Sequence, residues 1–417
     1  MRSNLILYFI ILNLETKVLL FNRYIKKMSP LEIKSSAVLA SIYSLRMFGI
    51  FLILPIFSIY ASELSGNPTE FQIGLAFGIY GLTQAIFQIP FGVSSDRFGR
   101  KSVIYFGLLL FIIGSIIAGI SEQIEGIIIG RAIQGSGAIS AVLTAFLSDV
   151  TSNKSRTKGM AIIGASIGLT FALSLVISPI LNTAIGVSGI FILMAILAFF
   201  ALVFVRFLIK EPLNKKRFKS KSNDEMISIL KNFNLNRLNF GIFTLHASQI
   251  SMFMAIPFYL INQGEISLDQ HWSIYLPILV ISFIFIVPMI IISENKNKTK
   301  ESFLFSISLL FITQFLFIYF ANGIVGIIIA LLFYFIGFNY LEAALPSLVS
   351  KLAPIGRRGL ALGVYNTSQS LGVFFGGSFG GLLANFYGYQ GTFLFCSLLI
   401  IIWLFLSLSM KMPINKK

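Results

Sequence analysis

Long apolar runs alternate along this chain with short polar breaks. A membrane-spanning helix needs about 20 consecutive apolar residues. Twelve runs reach that length: 36–60, 71–94, 102–120, 124–148, 158–182, 186–208, 239–263, 272–292, 302–320, 323–348, 359–386 and 390–410. Most breaks are a few residues long. The exception is 209–238, polar and basic, which divides the runs six and six. The pattern predicts an all-α membrane protein of twelve transmembrane helices in two six-helix bundles. Its parts are a leading segment 1–35, a first bundle 36–208, a linker 209–238, a second bundle 239–410 and a tail 411–417. The stretch "LILYFIILNL" at 4–13 is apolar but too short to span, and it lacks the flanks of a secretory signal. The natural chain is therefore expected to start at Met28.

Composition agrees with the pattern. The chain is 56% hydrophobic and 12% charged, with 43 phenylalanines and a mean hydropathy of +0.87, far from soluble averages. One cysteine, Cys396, excludes a disulfide framework and a cysteine-based metal site. No phosphate-cradling glycine loop is present, so neither a cofactor nor ATP-driven work is expected.

Charge changes the picture further. A net charge of +16 would suggest nucleic acid in a soluble protein. Here all but two of the 32 lysines and arginines lie at the termini and in the even-to-odd connections. The other connections hold Glu63, Glu70, Glu122, Glu125, Glu265 and Asp269 instead. By the positive-inside rule both termini are cytoplasmic, and no nucleic-acid partner is expected. The halves also repeat: "RTKGMAIIG" at 156–164 lies 200 residues before "GRRGLALGV" at 356–364, as internal repeats in transporters do.

The two remaining cations, Arg46 and Arg131, lie inside spans 1 and 4, and Glu342 lies inside span 10. A charge near the bilayer centre costs about 2.5–3.5 kcal/mol on insertion scales, so each needs a partner or a cavity. Apart from Glu125 at the very start of span 4, spans 1–6 contain no acid for Arg46. It meets Glu342 across a cavity, or helix carbonyls, or a polar substrate. Glu342 is either a reversible proton site or a structural partner for an arginine. His246 in span 7 is titratable, or simply packed. His271, before Trp272, is expected at the membrane surface. Further candidates for a substrate cavity are Tyr80, Gln84 and Gln88, which share one helix face, with Gln249, Asn339, Tyr365, Asn366 and Gln369. Ordinary interhelical hydrogen bonding is the competing explanation for each. An aromatic, apolar cavity with few polar points suits amphipathic or drug-like molecules.

Two motifs carry a resemblance. "GVSSDRFGRK" at 92–101 is a dense charged turn between spans 2 and 3, and "GRAIQGSGA" at 130–138 lies in span 4. With twelve spans and a half-repeat, the chain resembles the major facilitator superfamily over residues 28–412. It is most similar to YajR-type bacterial inner-membrane transporters, through "SLRMFGIF", "LHASQ", "LEAALPSL" and "GVYNTSQSLGV". The soluble domain that some of these carry after span 12 is not in this sequence. Span 5 departs from the antiporter signature, ending Ser178-Pro179-Ile180-Leu181.

The resemblance implies a gating latch. Asp96 would face the start of span 11 near Gly359 to Gly363, and Arg100 would reach Asp149. Gly92 and Gly99 would permit close helix approach and the tight turn, with Arg97 and Lys101 as flanking cations. It also implies a coupling or gating role for Arg131, shared with Glu342 and His246 as a proton path, and places Gln134 in the cavity. The function implied is proton-coupled efflux of small amphipathic molecules by alternating access, in a bacterial inner membrane. The partners would be a small-molecule substrate, protons and the lipid bilayer, with the protein monomeric. Uptake or facilitated diffusion of a nutrient, or a non-transporting sensor, are the alternatives. No nucleophile–base cluster suggests an enzyme.

Overall fold

The computed structural model describes residues 28–152, 155–208, 223–295, 298–354 and 357–410. Residues 1–27, which precede the expected start at Met28, the first half of the linker (209–222) and the tail lie outside the described residues. Within them the fold is helical throughout, with no strand.

Among the described residues, ten helices are long and apolar enough to cross a membrane. Two of these, Lys158–Leu208 and Arg358–Leu408, run 51 residues each, or roughly 75 Å at 1.5 Å per residue. That is more than twice a bilayer core. Each is interrupted at a glycine with left-handed backbone, Gly186 at φ 65° and Gly388 at φ 66°. Each therefore accommodates two of the expected runs, spans 5 and 6 in one and spans 11 and 12 in the other.

The remaining spans follow in order. Span 1 is Pro30–Leu52, continued after a short break by Phe57–Ser62. Span 2 is Glu70–Phe98 and span 3 is Arg100–Ile120. Span 4 is broken into Ile124–Ser136 and Ser140–Val150. Spans 7 to 10 are Phe233–Asn262, Trp272–Asn295, Thr299–Tyr319 and Ile324–Leu352. Span 7 starts six residues earlier than the hydropathy pattern suggests. Asn232 explains this: its side chain accepts from Asn234 N and Leu235 N, capping the helix. Span 1 starts on a capping box, with Ser29 and Glu32 bonded reciprocally. Glu32 also accepts from Ser152 N at 2.7 Å and from Ser155 Oγ at 3.1 Å, tying the start of span 1 to the 4–5 connection.

The connections that carry the basic residues gather at one end of the bundle, here called the basic face. The acidic connections form the opposite, acidic face. Between the halves, spans 2 and 11 run antiparallel and meet closely towards the acidic face. A Cβ added at Gly74 would lie 2.1 Å from the Gly377 carbonyl oxygen, and one at Gly81 would lie 2.4 Å from that of Ser370. Only glycine admits so close an approach of two backbones. The contact does not continue to the basic face. Nothing among the described residues comes within 4 Å of a Cβ added at Gly92, Gly359 or Gly363. The halves are thus closed on the acidic side and parted on the basic side. Phe171 of span 5 against Phe338 of span 10, with ring centroids 5.7 Å apart, is a further contact between halves.

Candidate functional site: a polar chain between the two halves

Span 1 delivers Arg46 to the interior of the first bundle, where its side chain is 1% exposed. It does not meet Glu342. Its Nη1 donates to Ser140 Oγ at 3.0 Å, and its Nη2 donates to Gln84 Oε1 at 2.9 Å and to the Tyr80 hydroxyl. Ser140 is available because span 4 breaks at Gly137–Ile139 and restarts there. Tyr80 and Gln84, one turn apart on span 2, converge on one guanidinium as their spacing predicts. The charge is thus spread over three neutral acceptors, each a charge-assisted hydrogen bond.

The chain continues across the seam. Gln84 Nε2 donates to Ser370 Oγ of span 11 at 3.0 Å, and Ser370 Oγ donates to the Asn366 carbonyl at 3.0 Å. Arg46 is therefore linked through one glutamine to the other bundle.

Arg131 lies behind the same tyrosine. Its guanidinium carbon sits 4.8 Å from the Tyr80 ring centroid. Its Nε donates to the Ala76 carbonyl at 3.2 Å, and its Nη1 donates to Gln134 Oε1 at 3.0 Å. Gln134 in turn donates to Ser115 Oγ at 2.8 Å and is fully buried. This corrects the expectation that Gln134 lines the cavity. It lies between spans 3 and 4, and both its hydrogen bonds stay inside the first bundle, one of them with Arg131. Tyr80 thus separates two cations, one turned to the seam and one to the packing behind.

The second bundle holds the titratable pair. His246 Nε2 lies 3.9 Å from Glu342 Oε2 and 2.7 Å from Gln369 Nε2. Spans 7, 10 and 11 each supply one member. Glu342 is not deeply buried as expected: its side chain is 34% exposed. No lysine or arginine pairs with it among the described residues, and its Oε2 has no hydrogen-bond partner there. Tyr365, one turn from Gln369 on span 11, is buried. Gln249 is buried on span 7, and Asn339 Nδ2 donates to Ser282 Oγ at 3.4 Å. Gln88 is 1% exposed with neither amide atom partnered among the described residues. His271, just before the start of span 8, is buried within the protein, with its ring nitrogen 3.3 Å from the Ile266 carbonyl.

At the 92–101 turn, Gly99 adopts φ 94°, the left-handed conformation expected of it. Arg100 Nε donates to Asp149 Oδ2 at 2.8 Å, while its Nη1 is 2.6 Å from Asp96 Oδ1 and 2.5 Å from Ser95 Oγ. The Arg100–Asp149 contact is where it was expected. Two other expectations are corrected. Asp96 at the end of span 2 faces Arg100 at the start of span 3 rather than span 11, and Gly92 makes no close helix contact. Both follow from the parting of spans 2 and 11 on the basic face. Arg97 is exposed.

Two residues of the chain were not anticipated, Ser140 and Ser370. Serine in a span ordinarily bonds the carbonyl one turn back, and Ser370 does so too. Such residues carry no sequence signal for an additional partner across a seam.

With this geometry in hand, comparison with known proteins is decisive for the family. The sequence model of the Major Facilitator Superfamily matches residues 39–372 and 297–416. The chain belongs to the Major Facilitator Superfamily. Within the superfamily it is 42% identical over 391 residues to the inner membrane transport protein YajR of Escherichia coli, covering 93% of this chain and 85% of that protein. It is 27% identical over 392 residues to multidrug resistance protein 2 of Bacillus subtilis, covering 90% and 94%. Among solved structures, a bacterial homologue of the human lysosomal transporter Spinster superposes with a TM-score of 0.72 at 11% identity, covering 91% of this chain and 97% of that one. At that identity the likeness shows the superfamily fold alone. The chain is thus a membrane transporter by family, and the polar chain lies between the two bundles of that fold.

Proposed function

We propose that this protein is a proton-coupled secondary transporter that exports small amphipathic molecules by alternating access. The observation that carries this reading is Glu342. It is an acid inside a span, with His246 3.9 Å away and no lysine or arginine paired with it among the described residues. A carboxylate held for structure would be neutralised by an arginine; this one is left to a proton. Its exposure gives that proton a route. Arg46, linked through Gln84 to Ser370, is the element by which occupancy of one bundle is felt in the other. Substrate binds between the bundles, near Arg46, Tyr365 and Gln369, against phenylalanine walls.

The basic face is read as cytoplasmic, from the charge asymmetry, and the membrane as a bacterial inner membrane, as the name of the YajR relative states for that protein. The parting of spans 2 and 11 then makes this conformation open to the cytoplasm. Closing it would carry the seam on in the same register, bringing Gln88 beside Asn366 and Gly92 beside Gly363, with Asp96 at the start of span 11. There the free N–H groups of the helix favour a carboxylate, which completes the latch with Arg100 and Asp149. Export is favoured by the apolar walls and by the multidrug resistance relative. Inward proton movement supplies about 2.3 kcal/mol per charge at 100 mV. The protein acts as a monomer in this scheme.

The test uses energised inverted vesicles with a pH-sensitive dye, to which lipophilic cations, dyes, antibiotics and sugars are added. The expected result is proton release with some lipophilic compound, abolished in Glu342→Gln. Transport of a compound with no associated proton movement would overturn coupling and leave facilitated diffusion.

A further inference from the structure

The acidic face holds a cavity separate from the polar chain, of about 390 Å³, within the range of small-ligand sites. Its walls come from both bundles. Glu70 opens span 2; Phe258, Tyr259 and Asn262 end span 7; Tyr387 and Tyr389 flank the Gly388 break. Tyr389 donates to Glu70 Oε1 at 3.0 Å, which closes the seam. The other oxygen, Oε2, is enclosed and has no hydrogen-bond partner among the described residues. Phe258 stacks on Tyr389 with centroids 5.6 Å apart, and Tyr259 stands at 6.4 Å and 58° to the same ring. The connections of this face carry Glu63, Glu122, Glu125, Glu265 and Asp269, and neither lysine nor arginine.

One carboxylate, three neutral amides and four aromatic side chains around one cavity are poorer chemistry for a hard metal ion, which favours several carboxylate oxygens, than for an organic ion. The cavity is repulsive to anions. It suits an organic cation, whose charge is met by the carboxylate and whose alkyl groups lie on ring faces. We infer that this seam is a second binding site, for a small alkylammonium cation. It exists only while the acidic face is closed, because Glu70 belongs to one bundle and the aromatic rings to the other. A cation bound there stabilises that closed state. The inference stands apart from the central site, none of whose residues line this cavity.

Equilibrium dialysis of radiolabelled choline against the purified full chain in detergent tests it. Saturable binding is expected, displaced by tetramethylammonium but not by the neutral isostere 3,3-dimethylbutan-1-ol. Glu70→Gln and Tyr389→Ala should each weaken binding about tenfold or more. Tyr389→Phe keeps the ring and releases the carboxylate, so it should bind as well as the parent or better. Glu342→Gln should bind unchanged. If Glu70→Gln does not fold, the Tyr389→Phe and Tyr389→Ala pair decides. Absence of saturable binding would overturn the inference. So would equal binding of the neutral alcohol, or a loss confined to Glu342→Gln, which would place choline in the central cavity.

Discussion

Arg46 has three acceptors and, among the described residues, no counter-ion. Its planar fork serves the Ser140, Tyr80 and Gln84 side chains together, and lysine has no such fork. Arg46→Lys is therefore expected to keep the charge yet cut transport sharply. Arg46→Met should also lower the stability of the purified protein, by about 3 kcal/mol from lost charge-assisted bonds, seen as a lower unfolding midpoint in detergent. An unchanged midpoint would show the network to be dispensable for the fold. Glu342→Gln makes the opposite prediction: the fold and ligand binding persist while pH-driven transport disappears. Unaltered dependence on the pH gradient would remove Glu342 from the mechanism. The sequence pointed to both residues, because an ionised group in a span needs a reason. It could not choose their partners. Arg46 with Glu342 was as consistent with the sequence as the observed sets, since spans 1, 2, 4, 7, 10 and 11 are brought together only by packing.

The decisive element is the antiparallel pair of spans 2 and 11. Their closeness at Gly74 and Gly377 leaves no room for a side chain. Gly74→Val should hold the acidic side apart. A reporter cysteine at Ser370 would then react several-fold faster with a thiol reagent applied from that side; Cys396 is buried and adds little background. Equal reactivity in the parent and the variant would mean that the seam closes elsewhere. Extending the same register, cysteines placed at Gly92 and Gly363 should cross-link only when the basic side shuts. Substrate that traps the closed state should raise the yield, and a yield indifferent to substrate would contradict the proposed motion. The glycines of span 11 stand together in "GGSFGGLLA" at 376–384, but the sequence does not say which helix they face. A small residue permits any neighbour to approach.

For the molecule as a whole, charge placement and conformational state are separate matters. Asp96→Asn should leave the protein in the membrane at parental levels while reducing turnover, because Asp96 is half-exposed and paired with Arg100 in this state. In the proposed motion it matters once the basic face closes. Parental turnover in that variant would sink the latch. The orientation is checked by labelling single cysteines at Lys298 and Asp269 in intact cells. Only the Asp269 site should react with an impermeant reagent.

Twelve apolar runs, their division into halves, the charged turn and the intramembrane ionisable residues were all determined by the sequence alone. Each rests on a local rule: length against bilayer thickness, charge against topology, or desolvation of a buried ion. Tertiary structure decided the rest. It put His246 rather than arginine beside Glu342, Gln134 behind Arg131 rather than in the cavity, Asp96 on Arg100 rather than on span 11, and Glu70 under Tyr389. These pairings join residues distant in the chain. Their free energies depend on which way two bundles lean, and local sequence does not encode that lean, because it is set by contacts between helices far apart in the chain.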